Sequence, residues 1–125
     1  MIDALFAAFE LTYDDNHPIH YDVKYCGQRG YKGLLAHGMQ VFIQTAAGAG
    51  LFPHVVDDSL VAFSEASCRF LEPVFAGDTV YPCLEAVELT PQRSTDVLTM
   101  KATVHNQKRV LLMEGEHKYI IKKRN

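Results

Sequence analysis

The chain has 125 residues and a formal net charge of −3, with 12 Lys and Arg against 15 Asp and Glu and six histidines taken as neutral. This length suits one domain over residues 1–125, and 48% hydrophobic against 22% charged residues is enough for a core and too apolar for a disordered chain. The acidic balance argues against a nucleic-acid partner, which requires a basic stripe to displace counterions from phosphates; Lys122-Lys123-Arg124 reads as a solvated tail.

Cys26, Cys68 and Cys83 form no C-x-x-C pattern, which fits thiols used as small hydrophobes in a reducing compartment. Met1-Ile2-Asp3-Ala4-Leu5-Phe6 has an early acid and no basic run, unlike a secretory signal. No apolar stretch approaches the ~18 residues of a membrane span. A cytoplasmic protein without membrane contact is the expectation.

Leu5, Phe6, Ala8 and Phe9 predict a short amphipathic helix with Asp3 near its start, where the helix dipole favours an acid. Tyr13 to Asp22 is polar and contains Pro18, which biases His17 out of the helical region, so a loop is expected there. Asp22 is placed to cap a short helix over Val23 to Gln28, with Gly27, Gly30 and Gly33 breaking it up.

Met39, Phe42, Ile43, Ala46 and Gly50 recur at helical spacing and predict one long helix from about Gly38 to Leu51, ended by Pro53. Its second half, Ala46-Ala47-Gly48-Ala49-Gly50, is nearly free of side-chain volume, which suits close approach by another element. After Asp57-Asp58-Ser59 the chain reads as strands over Leu60–Leu71, Thr79–Leu89, Thr95–His105 and Val110–Ile121. Pro82 marks an edge or a bulge, and Asn106-Gln107-Lys108-Arg109 a hairpin connection. The expected architecture is α+β, an antiparallel sheet wrapped around one long central helix. Such a sheet leaves an apolar face for a partner, so a homodimer or a multiple of it is expected.

Chemistry concentrates in Asp14, Asp15, His17, His20 and Asp22, with His37 ahead of the central helix. These residues read in three ways. Asp and His here serve as turn formers and caps. Alternatively, His17-x-x-His20 with carboxylates has ligand types suited to zinc or iron, although Pro18 intervenes and no further ligand stands at a familiar spacing. The third reading is acid–base catalysis: a carboxylate and an imidazole on one proline-stiffened loop reach one water, and the first N–H of the helix at Gly38 is a donor for a carbonyl oxygen that gains charge.

Asp15-Asn16-His17-Pro18-Ile19-His20 followed by Ala36-His37-Gly38-Met39 resembles the G-D-x-N-P-x-H and H-G-M signature of the MaoC-like, R-specific enoyl-CoA hydratase family. Arg69-Phe70-Leu71-Glu72-Pro73-Val74-Phe75-Ala76-Gly77-Asp78-Thr79 resembles that family's R-F-x-x-P-V-x-x-G-D-T turn. The resemblance implies a hot-dog fold, usually dimeric, and reversible addition of water across the double bond of a 2-enoyl-CoA thioester, with no metal and no cofactor beyond the CoA of the substrate. It implies Asp15 and His20 as the acid–base pair and Gly38 as the backbone donor to the thioester oxygen, with His17, His37 and Met39 contacting substrate.

The family asparagine is His17 here and the glycine before the aspartate is Asp14, so Asp14 remains an alternative acid; Asp15 preserves the spacing to His20. Ile43 and Ala46 stand where the family often has serines. The family's usual strand before the first helix has no counterpart, which implies a sheet without it or a truncated start. A hot-dog thioesterase and a non-catalytic acyl-CoA-binding subunit are the rival readings.

Overall fold

The computed structural model describes residues 1–48 and 52–124. Helix α1 (Asp3–Tyr13) buries Phe6 and ends at Asp14, whose left-handed backbone (φ 58°) lets its N–H close on the Glu10 carbonyl. A 3-10 turn (Pro18–His20) and helix α2 (Val23–Gln28) follow. Asp22 caps α2 by accepting from the Tyr25 N–H at 3.0 Å, and Gly27 lies inside this helix rather than breaking it.

The central helix differs from expectation. It runs as α3 (Gly38–Phe42), a turn at Ile43, and α4 (Gln44–Gly48). The Thr45 hydroxyl donates to the Phe42 carbonyl at 2.7 Å, and the Ala46 N–H, the usual donor to that carbonyl, bonds Ile43 instead at 3.1 Å. The predicted end at Leu51 lies outside the described residues. Pro53, expected to end this helix, lies instead within α5 (Phe52–Val56).

The strands are β1 (Leu60–Phe70), β2 (Val80–Pro91), β3 (Thr95–Asn106) and β4 (Leu111–Lys122). They form one antiparallel sheet in the order β1-β4-β3-β2. Pro82 therefore lies on an edge strand, and β2 also shifts register between Ala86 and Glu88. The β3–β4 hairpin is closed by the Asn106 side chain, which accepts from the Lys108 and Val110 N–H groups.

Period-2 alternation puts Met100, Ala102 and Val104 of β3 beside His117, Gly115 and Met113 of β4. Val104 and Met113 join Val41, Val74 and Leu112 in the core that seats α3 on the sheet. Gly115 is required where β4 pairs with β1 at Cys68, because a Cβ there would run into the Ser67 carbonyl oxygen. Among the described residues no helix is long and apolar enough to cross a membrane, and all three cysteines are free.

Candidate active site

The loop between α1 and α3 is pinned at both ends. Asp15 Oδ1 accepts from the His17 N–H at 3.2 Å, and His17 Nδ1 accepts from the Ile19 N–H at 3.2 Å. Pro18 opens the 3-10 turn that carries His20. The Ile19 carbonyl accepts from the Leu35 N–H, and Leu35 bridges to Phe75. Ala36 and Ala76 extend this pairing to Val74 and Leu34. The Pro73–Asp78 turn is thus a buttress for the loop, itself braced by the Asp78 carboxylate on the Phe75 N–H and the Gln107 amide.

Asp15, His20 and His37 come together at the centre of this scaffold. His20 Nδ1 lies 2.8 Å from the Leu35 carbonyl, and a carbonyl only accepts, so Nδ1 carries the proton. In the neutral ring Nε2 then presents its lone pair, 3.8 Å from Asp15 Oδ2. That is too long for a direct hydrogen bond, and both atoms are acceptors. A water ~2.8 Å from each can donate one O–H to the carboxylate and the other to the imidazole. Burial lowers the His20 pKa, assisted by the charges of His37 and His17 and opposed by the Leu35 hydrogen bond and Asp15, so the neutral ring prevails at neutral pH. The Asp15 carboxylate is 44% exposed and the His20 side chain 12%.

His37 is 2% exposed. Its Nε2 donates to the Asp15 backbone carbonyl at 2.9 Å, and its ring stacks on His20 with centroids 3.6 Å apart and planes at 18°. Phe9 and Tyr13 of α1 pack against its other surroundings at 5.0 and 5.9 Å. This differs from the expected contact with substrate: the ring is enclosed. His17 is more exposed and lies edge-on to His20 and Tyr25 at 6.3 and 5.7 Å. Met39 is exposed on α3.

Asp14 is exposed and outside the cluster, committed to ending α1. Gly38 follows His37 as the first residue of α3, so its N–H has no intrahelical acceptor. A Cβ on Gly38 would stand 3.1 Å from the Phe70 ring, and both residues line an open cavity of about 380 Å³ with Val41, Leu71 and Pro73. The anchoring of His20 by Leu35 and the packing of Phe9 and Tyr13 on His37 were missed at the sequence level. The i, i+4 spacing of Phe9 and Tyr13 was their only available signal.

The family model of the MaoC like domain matches residues 3–108. A Bacillus subtilis (strain 168) relative, the uncharacterized protein YdeM, is 25% identical over 111 residues, covering 87% of this chain and 78% of the relative. The crystal structure of a monoamine oxidase regulatory protein from Archaeoglobus superposes with a TM-score of 0.86 at 27% identity, covering 100% of this chain and 84% of that one. The R-hydratase PhaJ1 from Pseudomonas aeruginosa superposes with a TM-score of 0.81 at 23% identity, over 99% of this chain and 76% of that one, a likeness of fold. With its four-stranded sheet laid over α3 and α4, this chain has the hot-dog fold and belongs to the MaoC-like domain family.

Proposed function

We propose that the protein adds water to, or removes it from, the double bond of a 2-enoyl-CoA-type thioester, with Asp15 and His20 as the acid–base pair and Gly38 as the backbone donor. The observation that carries this reading is the 3.8 Å gap between His20 Nε2 and Asp15 Oδ2, with the imidazole tautomer set by Leu35. A water held by both acceptors turns its oxygen lone pair away from them, toward an incoming carbon.

The thioester carbonyl makes Cβ electrophilic and Cα acidic. In hydration the water oxygen bonds to Cβ, one of its protons passes to the Asp15–His20 pair, and the double-bond electrons move onto the thioester as an enolate. The Gly38 N–H stabilises the charge on that oxygen, and the pair returns a proton to Cα, so H and OH are added with none left over. Dehydration is the reverse, the pair delivering a proton to the departing hydroxyl.

The proposed chemistry needs no metal, and the stacking of His20 on His37 disfavours one ion shared by these two rings. A ring nitrogen's lone pair lies in its ring plane, and His20 and His37 have planes 18° apart at a 3.6 Å separation. An ion in the plane of one ring at ~2.0–2.1 Å stands well off the plane of the other. The test is a panel of enoyl-CoA thioesters of different chain length and branching, followed by absorbance of the conjugated thioester. Loss of that absorbance on at least one substrate is expected; no reaction with any, in either direction, overturns the reading in favour of a binding subunit.

A further inference from the structure

We propose that His37 is a positioning residue of this site: its Nε2–H fixes the backbone at Asp15 while its ring fixes the plane of His20, so one enclosed side chain sets the spacing of the two reacting groups. The inference rests on the reading of Asp15 and His20 as that pair, and extends it to a residue that does not touch substrate.

Three observations converge on this role. The 2.9 Å bond to the Asp15 carbonyl and the 3.6 Å stack on His20 are made by one ring, and that ring is 2% exposed. His37 occupies the N-cap position of α3 by its backbone, yet its side chain makes no capping bond; the ring serves the loop instead of its own helix. Finally, His37 Nδ1 is buried with no partner among the described residues. A buried orphan of this kind costs stability, and a phenyl ring would fill the same space without it. What histidine gains over phenylalanine here is the Nε2–H, and its one acceptor is Asp15.

The stack also bears on His20 as a base. The groups that face His20 are Asp15, His17, His37 and the Leu35 carbonyl. The His37 ring stacked 3.6 Å away acts with burial to lower the His20 pKa.

The experiment has arms with and without substrate. In the wild-type protein, nitrogen NMR of labelled histidines is expected to place the His37 proton on Nε2 with slowed exchange; a proton on Nδ1 alone overturns the proposal, because the bond to Asp15 could not then exist. In His37→Phe, the His20 titration is expected to move up, and kcat to fall by up to about 100-fold with KM within roughly twofold. An unmoved titration with unchanged kcat, or a raised KM at constant kcat, overturns it, the latter in favour of substrate binding. His37→Gln retains a donor near the Nε2 position and should recover part of kcat; equality with the Phe variant removes the hydrogen bond from the argument. If the wild-type protein hydrates no enoyl-CoA, the proposed function fails, while the titration and tautomer still decide what His37 does.

Discussion

Thr45 and His117 join the helix layer to the sheet by a buried contact, Thr45 Oγ1 to His117 Nε2 at 3.0 Å. The Thr45 hydroxyl spends its proton on the Phe42 carbonyl, so at His117 it accepts, and His117 Nε2 is the donor. His117 Nδ1 is then an acceptor, which the Tyr119 hydroxyl fills at 3.2 Å. With the imidazole neutral each polar atom in this run has a partner; protonation would turn Nδ1 into a donor and leave the Tyr119 hydroxyl proton without its acceptor.

Thr45→Val keeps the shape but leaves the His117 Nε2–H buried without an acceptor. A loss of about 1–3 kcal/mol is expected, read as a lower denaturant midpoint at unchanged slope. An unchanged midpoint would show that water or a rearranged turn replaces the contact.

Burial pushes the His117 pKa below its usual value, and that of His20 moves the same way. The unfolded chain therefore binds protons first as pH falls, and the folded state binds them later. Stability is complete above the unfolded value of ~6.5 and is lost as pH falls from there through the folded values. Urea midpoints measured from pH 8 down to 5 should decline, and His117→Phe should flatten part of that decline. A midpoint that rises on acidification contradicts neutral imidazoles at His20 and His117.

Asp15→Asn and His20→Ala should each lower kcat by about 10²–10⁴-fold in a folded protein. The double variant should be little worse than the poorer single one, because in the proposed mechanism the two groups act on one water. Asp14→Asn is the control, since Asp14 only ends α1. Inactivation by Asp14→Asn with Asp15→Asn unaffected would move the acid by one position.

Gly115→Ala and Gly38→Ala separate two kinds of close approach. At Gly115 the obstacle is the Ser67 backbone, which cannot turn aside, so a stability loss of ~3 kcal/mol or more is expected. At Gly38 it is the Phe70 ring, half exposed and free to swing, so stability should fall by less than ~1 kcal/mol while hydration slows. Equal losses in a thermal melt would contradict the difference in obstacles.

A second copy of the chain is expected to pair along β1. This edge strand carries no proline and exposes Val61, Phe63 and Phe70, whereas the other edge, β2, holds Pro82 and Pro91, which cannot donate to a ladder. Antiparallel β1 pairing is self-complementary, as a two-fold dimer requires. Sedimentation should give a dimer or a multiple of it with slow amide exchange in β1; a stable monomer at micromolar concentration rules it out.

The sequence alone determined what depends on neighbours in the chain. The four strands were legible because side chains alternate with period two over long stretches such as Leu98, Met100, Ala102 and Val104, and the hairpin at Asn106 and the cap at Asp22 are local hydrogen bonds. The short motifs that single out Asp15, His20 and Gly38 are local for the same reason, and the structure brings Asp15 and His20 together while Asp14 ends α1. Tertiary structure decided the rest. Whether the central helix runs unbroken depends on a threonine hydroxyl whose position is shared with a histidine 72 residues away. The reach of His20 toward Asp15 is set by the Leu35 carbonyl and by the face of His37. Those contacts are made by side chains from separate elements, and no periodicity encodes them: a hydrogen bond or a stacked ring is fixed by distance and angle in space, which the chain acquires only when the sheet and the loop close on each other.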